Sequence, residues 1–247
     1  MNIRIAGGQT PPSRGTPPWA IPVAVLLLAL AVGWYFLRLK GPDFGRVANL
    51  EAPGEIVVFF GDSITQGYGV RPEDSFPSLV AKELGVAFVN AGDTTAAGLA
   101  RIERDVSIHQ PRLTVVEFGG NDFLHRLPRD ETLNNLDVMV KTLVSRRMMV
   151  VILEVNVALV GDPYVEGYRA VASRHGAVLV EDVMHGILGN PDLKVDGIHP
   201  NALGHRLIAD RVIRVLRSLL QESDRRRNSA VRQSLHFRLP ALRALLN

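Results

Sequence analysis

Five short runs of β-branched or apolar residues, none alternating with polar ones, constrain this chain more than any other feature. They are Ile56 to Phe60, Val86 to Val89, Leu113 to Phe118, Val150 to Val155 and Val178 to Val180. A strand with one wet face alternates, so unbroken runs of this length read as strands buried on both faces. Helix-like segments fall between them, near Phe76 to Leu84, Ala96 to Ile108, Leu133 to Arg147 and Val165 to His175, and a last one runs from Ala202 to about Leu220. Strands alternating with helices give a parallel sheet covered on both faces.

In such a sheet ligands bind beyond the carboxyl ends of the strands. Three polar clusters fall there: Gly61-Asp62-Ser63 after the first run, Asn90-Ala91-Gly92-Asp93 after the second and Gly119-Gly120-Asn121-Asp122 after the third. Ser63 stands where a helix should begin. One reading is a helix cap, since Ser63-x-x-Gln66 has the capping-box form. The other is a nucleophile beside a helix N-terminus.

Asp196-Gly197-Ile198-His199-Pro200 bears on that choice. A serine nucleophile needs a base to take its proton, and the imidazole needs an acceptor on its other nitrogen. Asp196 and His199, three residues apart on one turn, supply both groups; alone, the pair also fits a surface ion pair or two metal ligands. Acyl transfer further requires donors aimed at the oxyanion. The Ser63 N–H, the Gly92 N–H and the Asn121 side-chain amide are candidates, although Gly92 and Asn121 are also ordinary turn residues.

The blocks Gly61-Asp62-Ser63-Ile64-Thr65, Gly119-Gly120-Asn121-Asp122 and Asp196-Gly197-Ile198-His199-Pro200, with Gly92 in Asn90-Ala91-Gly92-Asp93-Thr94-Thr95, resemble those of the SGNH (GDSL) hydrolases. The stretch from Gly98-Leu99-Ala100-Arg101 through Pro111 to Glu117-Phe118-Gly119-Gly120 is similar to the bacterial thioesterase, lysophospholipase and arylesterase subgroup. The resemblance covers about residues 55 to 218. It implies Ser63 as nucleophile, His199 as base, Asp196 as its partner, and Ser63, Gly92 and Asn121 as the oxyanion hole. The expected fold is a flavodoxin-like three-layer α/β/α domain with a five-stranded parallel sheet, and the expected substrates are acyl esters or thioesters. Two other readings stand beside this one: an O-deacetylase of cell-envelope glycans and a non-catalytic binding module on the same fold. In one respect the chain departs from the subgroup, because Ala91 runs straight into Gly92 and leaves that loop about three residues short. The shortening bears on whether the Gly92 N–H reaches the site.

No cofactor or metal is expected. His205, six residues after His199, reads as part of the final helix, and His109, His125, His175, His185 and His236 lack spaced partners for a metal; no phosphate-binding loop is present, and Gly67-Tyr68-Gly69 lacks the third glycine of a dinucleotide fingerprint. The chain has no Cys, which removes disulfides and thiol catalysis.

The termini read differently from the middle. The formal charge of +3 divides into +4 over residues 1–40, +7 over residues 211–247 and −8 between them. Positive charge confined to the ends makes no basic reading face, so nucleic acid is not an expected partner. Residues 1–18 form a leader rich in Gly, Pro, Ser and Thr. Trp19 to Leu37 then carry no charge over about 28 Å of helix, close to the thickness of a bilayer core. With Trp19, Trp34 and Tyr35 at its ends and Arg38 and Lys40 to stop it, residues 19–39 read as a membrane-spanning signal anchor. The rival is a cleaved signal peptide at Ala29-Leu30-Ala31, beyond which the apolar run continues. Residues 40–54 read as a linker, 55–221 as the hydrolase domain and 222–247 as a basic amphipathic tail. In that tail Arg225-Arg226-Arg227 precede Val231, Leu235, Leu239, Leu242 and Leu246, a pattern suited to anionic lipid or to a solvated end. The flanking charges do not orient the anchor; family resemblance implies the periplasmic face of a bacterial inner membrane. The oligomeric state is not legible.

Overall fold

The computed structural model describes residues 21–23, 25, 44–92, 95–156 and 164–244, with the side chains of 89–92 and 233–244 left out of the description. The chain divides into two compact units, Met1–Asp43 and Phe44–Asn247. In the first, Ile21, Pro22, Val23 and Val25 are helical. The rest of the expected membrane span, residues 19–39, lies outside the described residues, among which no helix is long and apolar enough to cross a membrane.

The second unit holds five parallel strands: β1 (Val57–Gly61), β2 (Phe88–Gly92), β3 (Leu113–Glu117), β4 (Met149–Leu153) and β5 (Val178–Val180), ordered β2-β1-β3-β4-β5. This is the flavodoxin-like order, with β1 and β3 adjacent at the reversal where a ligand crevice forms. The helices are α1 (Ser63–Gln66), α2 (Phe76–Leu84), α3 (Thr95–Asp105), α4 (Gly120–Leu124), α5 (Arg129–Ser145), α6 (Val165–His175) and α7 (Ala202–Ala244). Successive side chains of β1 feed opposite cores: Val57 and Phe59 pack with Phe76 of α2 and Ile208 of α7, whereas Val58 and Phe60 pack with Ile102 of α3 and Met139 of α5. Both faces of the strand are buried, which is why its sequence does not alternate.

Most element ends shift by a few residues from the sequence expectation, and three differences bear on the architecture. β2 runs on past Val89 to Gly92, because β1 continues to Gly61 and offers it ladder partners throughout. Residues 44–54 are not a free linker: Phe44, Leu50 and Ala52 are buried in the α2/α7 core, and the Asn49 amide donates to Val144 O at 2.8 Å and Met148 O at 2.9 Å. The last helix does not stop near Leu220. Ser223 is fully buried, Glu222 accepts from Arg225 and Arg226 one turn on, and Arg227 pairs with Glu55, so α7 continues through the residues expected to begin a tail.

Candidate active site

The site is built where β1 and β3 end side by side, with Gly61 in register with Glu117. A Cβ on Gly61 would lie 2.1 Å from Thr65 Oγ1 and 2.6 Å from Glu117 O, so only glycine lets the chain turn this tightly from strand into α1. Capping falls to Asp62 and not to Ser63: the Asp62 carboxylate accepts from Ile64 N at 2.9 Å, and Ser63 is the first helical residue. The cap reading of Ser63 is thereby replaced, and its hydroxyl is free for another partner.

That partner is His199. Ser63 Oγ lies 2.9 Å from His199 Nε2, and His199 Nδ1 lies 2.7 Å from Asp196 Oδ2. A carboxylate on the Nδ1 side assigns the proton there, leaving Nε2 to accept from the serine hydroxyl. Asp196 Oδ1 also accepts from the backbone N–H of His199 at 2.8 Å and of Ile198 at 2.9 Å. These two backbone donors, followed by the imidazole, push the Asp196 carboxyl down to about 2. The turn is fastened from outside by Lys194, whose ammonium donates to Leu188 O at 2.6 Å and Gly197 O at 2.9 Å. Beyond it, Asn201 caps α7 by accepting from Leu203 N and Gly204 N.

Asn121 enters from the β3 side. Gly119 holds φ +117°, and a Cβ there would meet Tyr168 Oη at 2.2 Å, which explains the glycine before α4. Tyr168 Oη in turn donates to Phe118 O. Asp122 is fully buried and accepts from Thr95 N at 3.1 Å, from the Thr95 hydroxyl and from Thr132 Oγ1 at 3.3 Å, tying α4 to α3 and α5. So fixed, Asn121 shares with Ser63 and His199 a cavity of about 20 Å³. Its apolar wall consists of Ile64, Leu124, Met184, Leu188 and Ile198.

Ser63, Asp196, His199 and Asn121 are thus gathered from the ends of β1 and β3 and the loop before α7. Gly92 is placed only by register, closing β2 opposite Gly61. Sequence reasoning missed three contributors. Tyr68, 56% exposed, sets its ring against the His199 imidazole with centroids 4.5 Å apart and planes inclined at 43°. Met184 lines the cavity from the segment after β5. Glu117 is buried directly behind Ser63, and its signal was available: a lone acid closing the otherwise uncharged run from Leu113.

Buried carboxyls dominate the electrostatics. Burial pushes Glu117 well above the usual carboxyl range, with the Asp62 charge adding to the effect. Burial also raises Asp62, opposed by the Ile64 N–H. A hydroxyl bonded to the free nitrogen of an oriented imidazole, next to an amide side chain and an apolar cavity, can add to a carbonyl carbon.

A family model described as the GDSL-like Lipase/Acylhydrolase family matches residues 59–207. The chain belongs to the GDSL-like lipase/acylhydrolase family. It is 29% identical over 184 residues to Esterase TesA of Pseudomonas aeruginosa, covering 69% of this chain and 92% of that protein. It is 28% identical over 176 residues to an arylesterase of Vibrio mimicus, covering 66% of this chain and 88% of the relative. The crystal structure of TesA superposes with a TM-score of 0.62 at 28% identity, covering 67% of this chain and 99% of that one. As a GDSL hydrolase the chain is an enzyme acting on ester bonds.

Proposed function

We propose that this GDSL hydrolase cleaves acyl esters or thioesters through an acyl-Ser63 intermediate. The carrying observation is the unbroken relay from Ser63 Oγ through the His199 ring to Asp196, opening on a cavity that Asn121 shares. Ser63 Oγ attacks the carbonyl carbon while its proton passes to Nε2. The carbonyl oxygen becomes an oxyanion, held by the Ser63 N–H, the Asn121 amide and the Gly92 N–H. Collapse of the tetrahedral adduct breaks the bond to the leaving oxygen or sulfur, which takes the proton from Nε2. Water repeats the sequence, releases the carboxylic acid and restores Ser63. Asp196 keeps its charge throughout and stabilises the imidazolium.

Ser63→Ala is expected to lower kcat on a p-nitrophenyl ester by about 10⁴-fold or more. A folded Ser63→Ala protein with full activity overturns the mechanism. Labelling of wild type, but not of this variant, by a fluorophosphonate excludes the non-catalytic binding module; failure to label wild type revives it.

A second reading, removal of O-acetyl groups from envelope glycans, is favoured by the size of the cavity beside Ser63. About 20 Å³ is room for roughly one water-sized group, and so for the methyl of an acetyl. Leu124 also lines an open groove of about 570 Å³ with Phe123, Leu127 and Tyr164, where a longer chain would lie. A panel of acetate, butyrate and octanoate esters, acetylated glycan and acyl thioester separates the two. Highest kcat/KM on acetyl substrates supports the deacetylase; a preference rising with chain length supports the esterase or thioesterase of longer acyl chains.

The same proposal holds the enzyme at a bacterial inner membrane by residues 19–39, with the hydrolase unit on the periplasmic face. Nineteen uncharged residues flanked by aromatic and basic ones support the anchor. Fractionation after carbonate washing tests it: release of the full chain from membranes would remove the anchor.

A further inference from the structure

Four N–H groups around the nucleophile have their acceptors accounted for by two acids and one carbonyl. Asp62 N donates to Glu117 Oε2 at 3.2 Å, Ile64 N to Asp62 Oδ1 at 2.9 Å, Thr65 N to Glu117 Oε2 at 3.3 Å and Gln66 N to Asp62 O at 2.9 Å. The Ser63 N–H, in the middle of this set, has no acceptor among the described residues. The Thr65 hydroxyl makes a third and shorter bond to the same Oε2, at 2.6 Å. One carboxyl oxygen at the end of β3 therefore grips the turn on both sides of Ser63, before it through Asp62 and after it through Thr65.

This grip is costly. Glu117 is 1% exposed, and its other oxygen, Oε1, is buried without a hydrogen-bond partner among the described residues. A buried polar atom left unpaired is unfavourable, and what the carboxyl gives in return is an acceptor for the Asp62 and Thr65 donors. We propose that Glu117 is a positioning residue for the nucleophile: by taking up the N–H groups on either side of Ser63 it fixes the turn so that the Ser63 N–H is kept for the oxyanion. The inference rests on the reading of Ser63 as nucleophile. A neutral acid still accepts on Oε2 and sets no second negative charge behind the oxyanion. Burial holds the pKa of Glu117 well above the usual carboxyl range, which favours the neutral form.

An acceptor that acts only by fixing donors predicts a particular split. Glu117→Ala, assayed well below its melting temperature and normalised to folded protein by circular dichroism, is expected to lose kcat by about 100-fold, the scale of one oxyanion donor, with KM within about threefold of wild type. Glu117→Gln retains an acceptor for the same donors and is expected to restore kcat to within about fivefold of wild type. A merely structural side chain would lower the melting temperature and leave kcat per folded molecule unchanged. That result overturns the proposal, as does a folded Gln variant no better than Ala. Should the Ala protein fail to fold, Thr65→Val, which removes only the hydroxyl donor, is expected to lower kcat about tenfold at constant KM; an unchanged kcat there is equally fatal. Ser63→Ala keeps the two readings apart. Activity surviving in Ser63→Ala removes the nucleophile itself, whereas an inactive Ser63→Ala beside a fully active Glu117→Ala removes only the role of Glu117.

Discussion

Strand β3 is flanked by a buried cation just before its first residue and ends in a buried acid, and the two are treated differently. Arg112 stands before Leu113; its guanidinium donates to Ser223 Oγ at 3.1 Å, Leu220 O at 3.3 Å and Asp224 Oδ1 at 2.6 Å, and Ser223 Oγ passes the chain of bonds on to Leu50 O. Segments far apart in sequence are closed into one network there, at the edge opposite the site. Glu117 at the other end keeps one oxygen unpaired, and His205 keeps a ring nitrogen unpaired: its buried Nδ1 accepts from Phe76 N at 3.3 Å while Nε2 has no partner among the described residues. The guanidinium that closes the amino end is paired, whereas Glu117 and His205 near the site each keep one polar atom unpaired at a cost in stability, as is usual of sites built for chemistry.

The contrast is broken most directly at Arg112. Arg112→Ala strips partners from Ser223 and Asp224 and is expected to cost about 3 kcal/mol of unfolding free energy, since part of the pair is buried. Urea denaturation measures the loss. Turnover per folded molecule should stay within about twofold of wild type, the reverse of what Glu117→Ala does. A large drop in kcat for folded Arg112→Ala would mean that the two ends of β3 are not separate in function.

His205 sharpens the other half of the comparison. Burial, with the His199 charge second, pushes its imidazole down to about 4 from an ordinary 6.5. The folded state thus keeps His205 neutral while the unfolded chain takes up a proton, so stability is full above pH 6.5 and falls as the pH drops towards 4. Between about pH 7 and pH 5 this one group should remove about 2 kcal/mol. Urea unfolding at both values should show wild type losing about 2 kcal/mol more than His205→Gln; equal losses would mean that the imidazole is not held neutral.

How much of this was legible in the sequence follows from the same physics. The strands could be read because both faces of each are buried, and β5 and α6 fall where their runs begin and end. Ser63, Asn121, Asp196 and His199 could be read because acyl transfer needs those groups and each stands at a strand end or on a tight turn. Glu117 shows in the sequence only as a lone acid closing an uncharged run, and its role depends on Asp62 and Thr65, more than fifty residues earlier in the chain. Residues 44–54 were misread because Pro53 and Gly54 signal a turn, while the burial of Leu50 and Ala52 is decided by α2 and α7 from far along the sequence. The end of α7 was misread for a related reason. Three consecutive arginines suggest a solvated end, yet Glu222 and Glu55 give them partners, and Ser223 brings the helix back onto the core.

The smallest expected effect concerns that helix. Arg227 pairs with Glu55, and the described side chains that follow it, 228–232, are exposed. The backbone continues helical to Ala244, roughly 25 Å further. Removing residues 228–247 from the Phe44–Asn247 unit should therefore change unfolding free energy by less than about 0.5 kcal/mol and leave kcat unaltered. Cutting instead after Leu220 would take Ser223, Asp224 and Arg227 with it and is expected to destabilise the unit by several kcal/mol, because Arg112 would lose its partners. If the basic extension lies on anionic headgroups, the shorter cut, which removes Arg232, Arg238 and Arg243, should weaken binding of the unit to phosphatidylglycerol vesicles at low salt, each Arg near the surface being worth about 1 kcal/mol. Unchanged vesicle binding would leave residues 19–39 as the one membrane contact proposed. A loss of stability on the shorter cut would show that residues 228–247 close the amino edge together with Arg112.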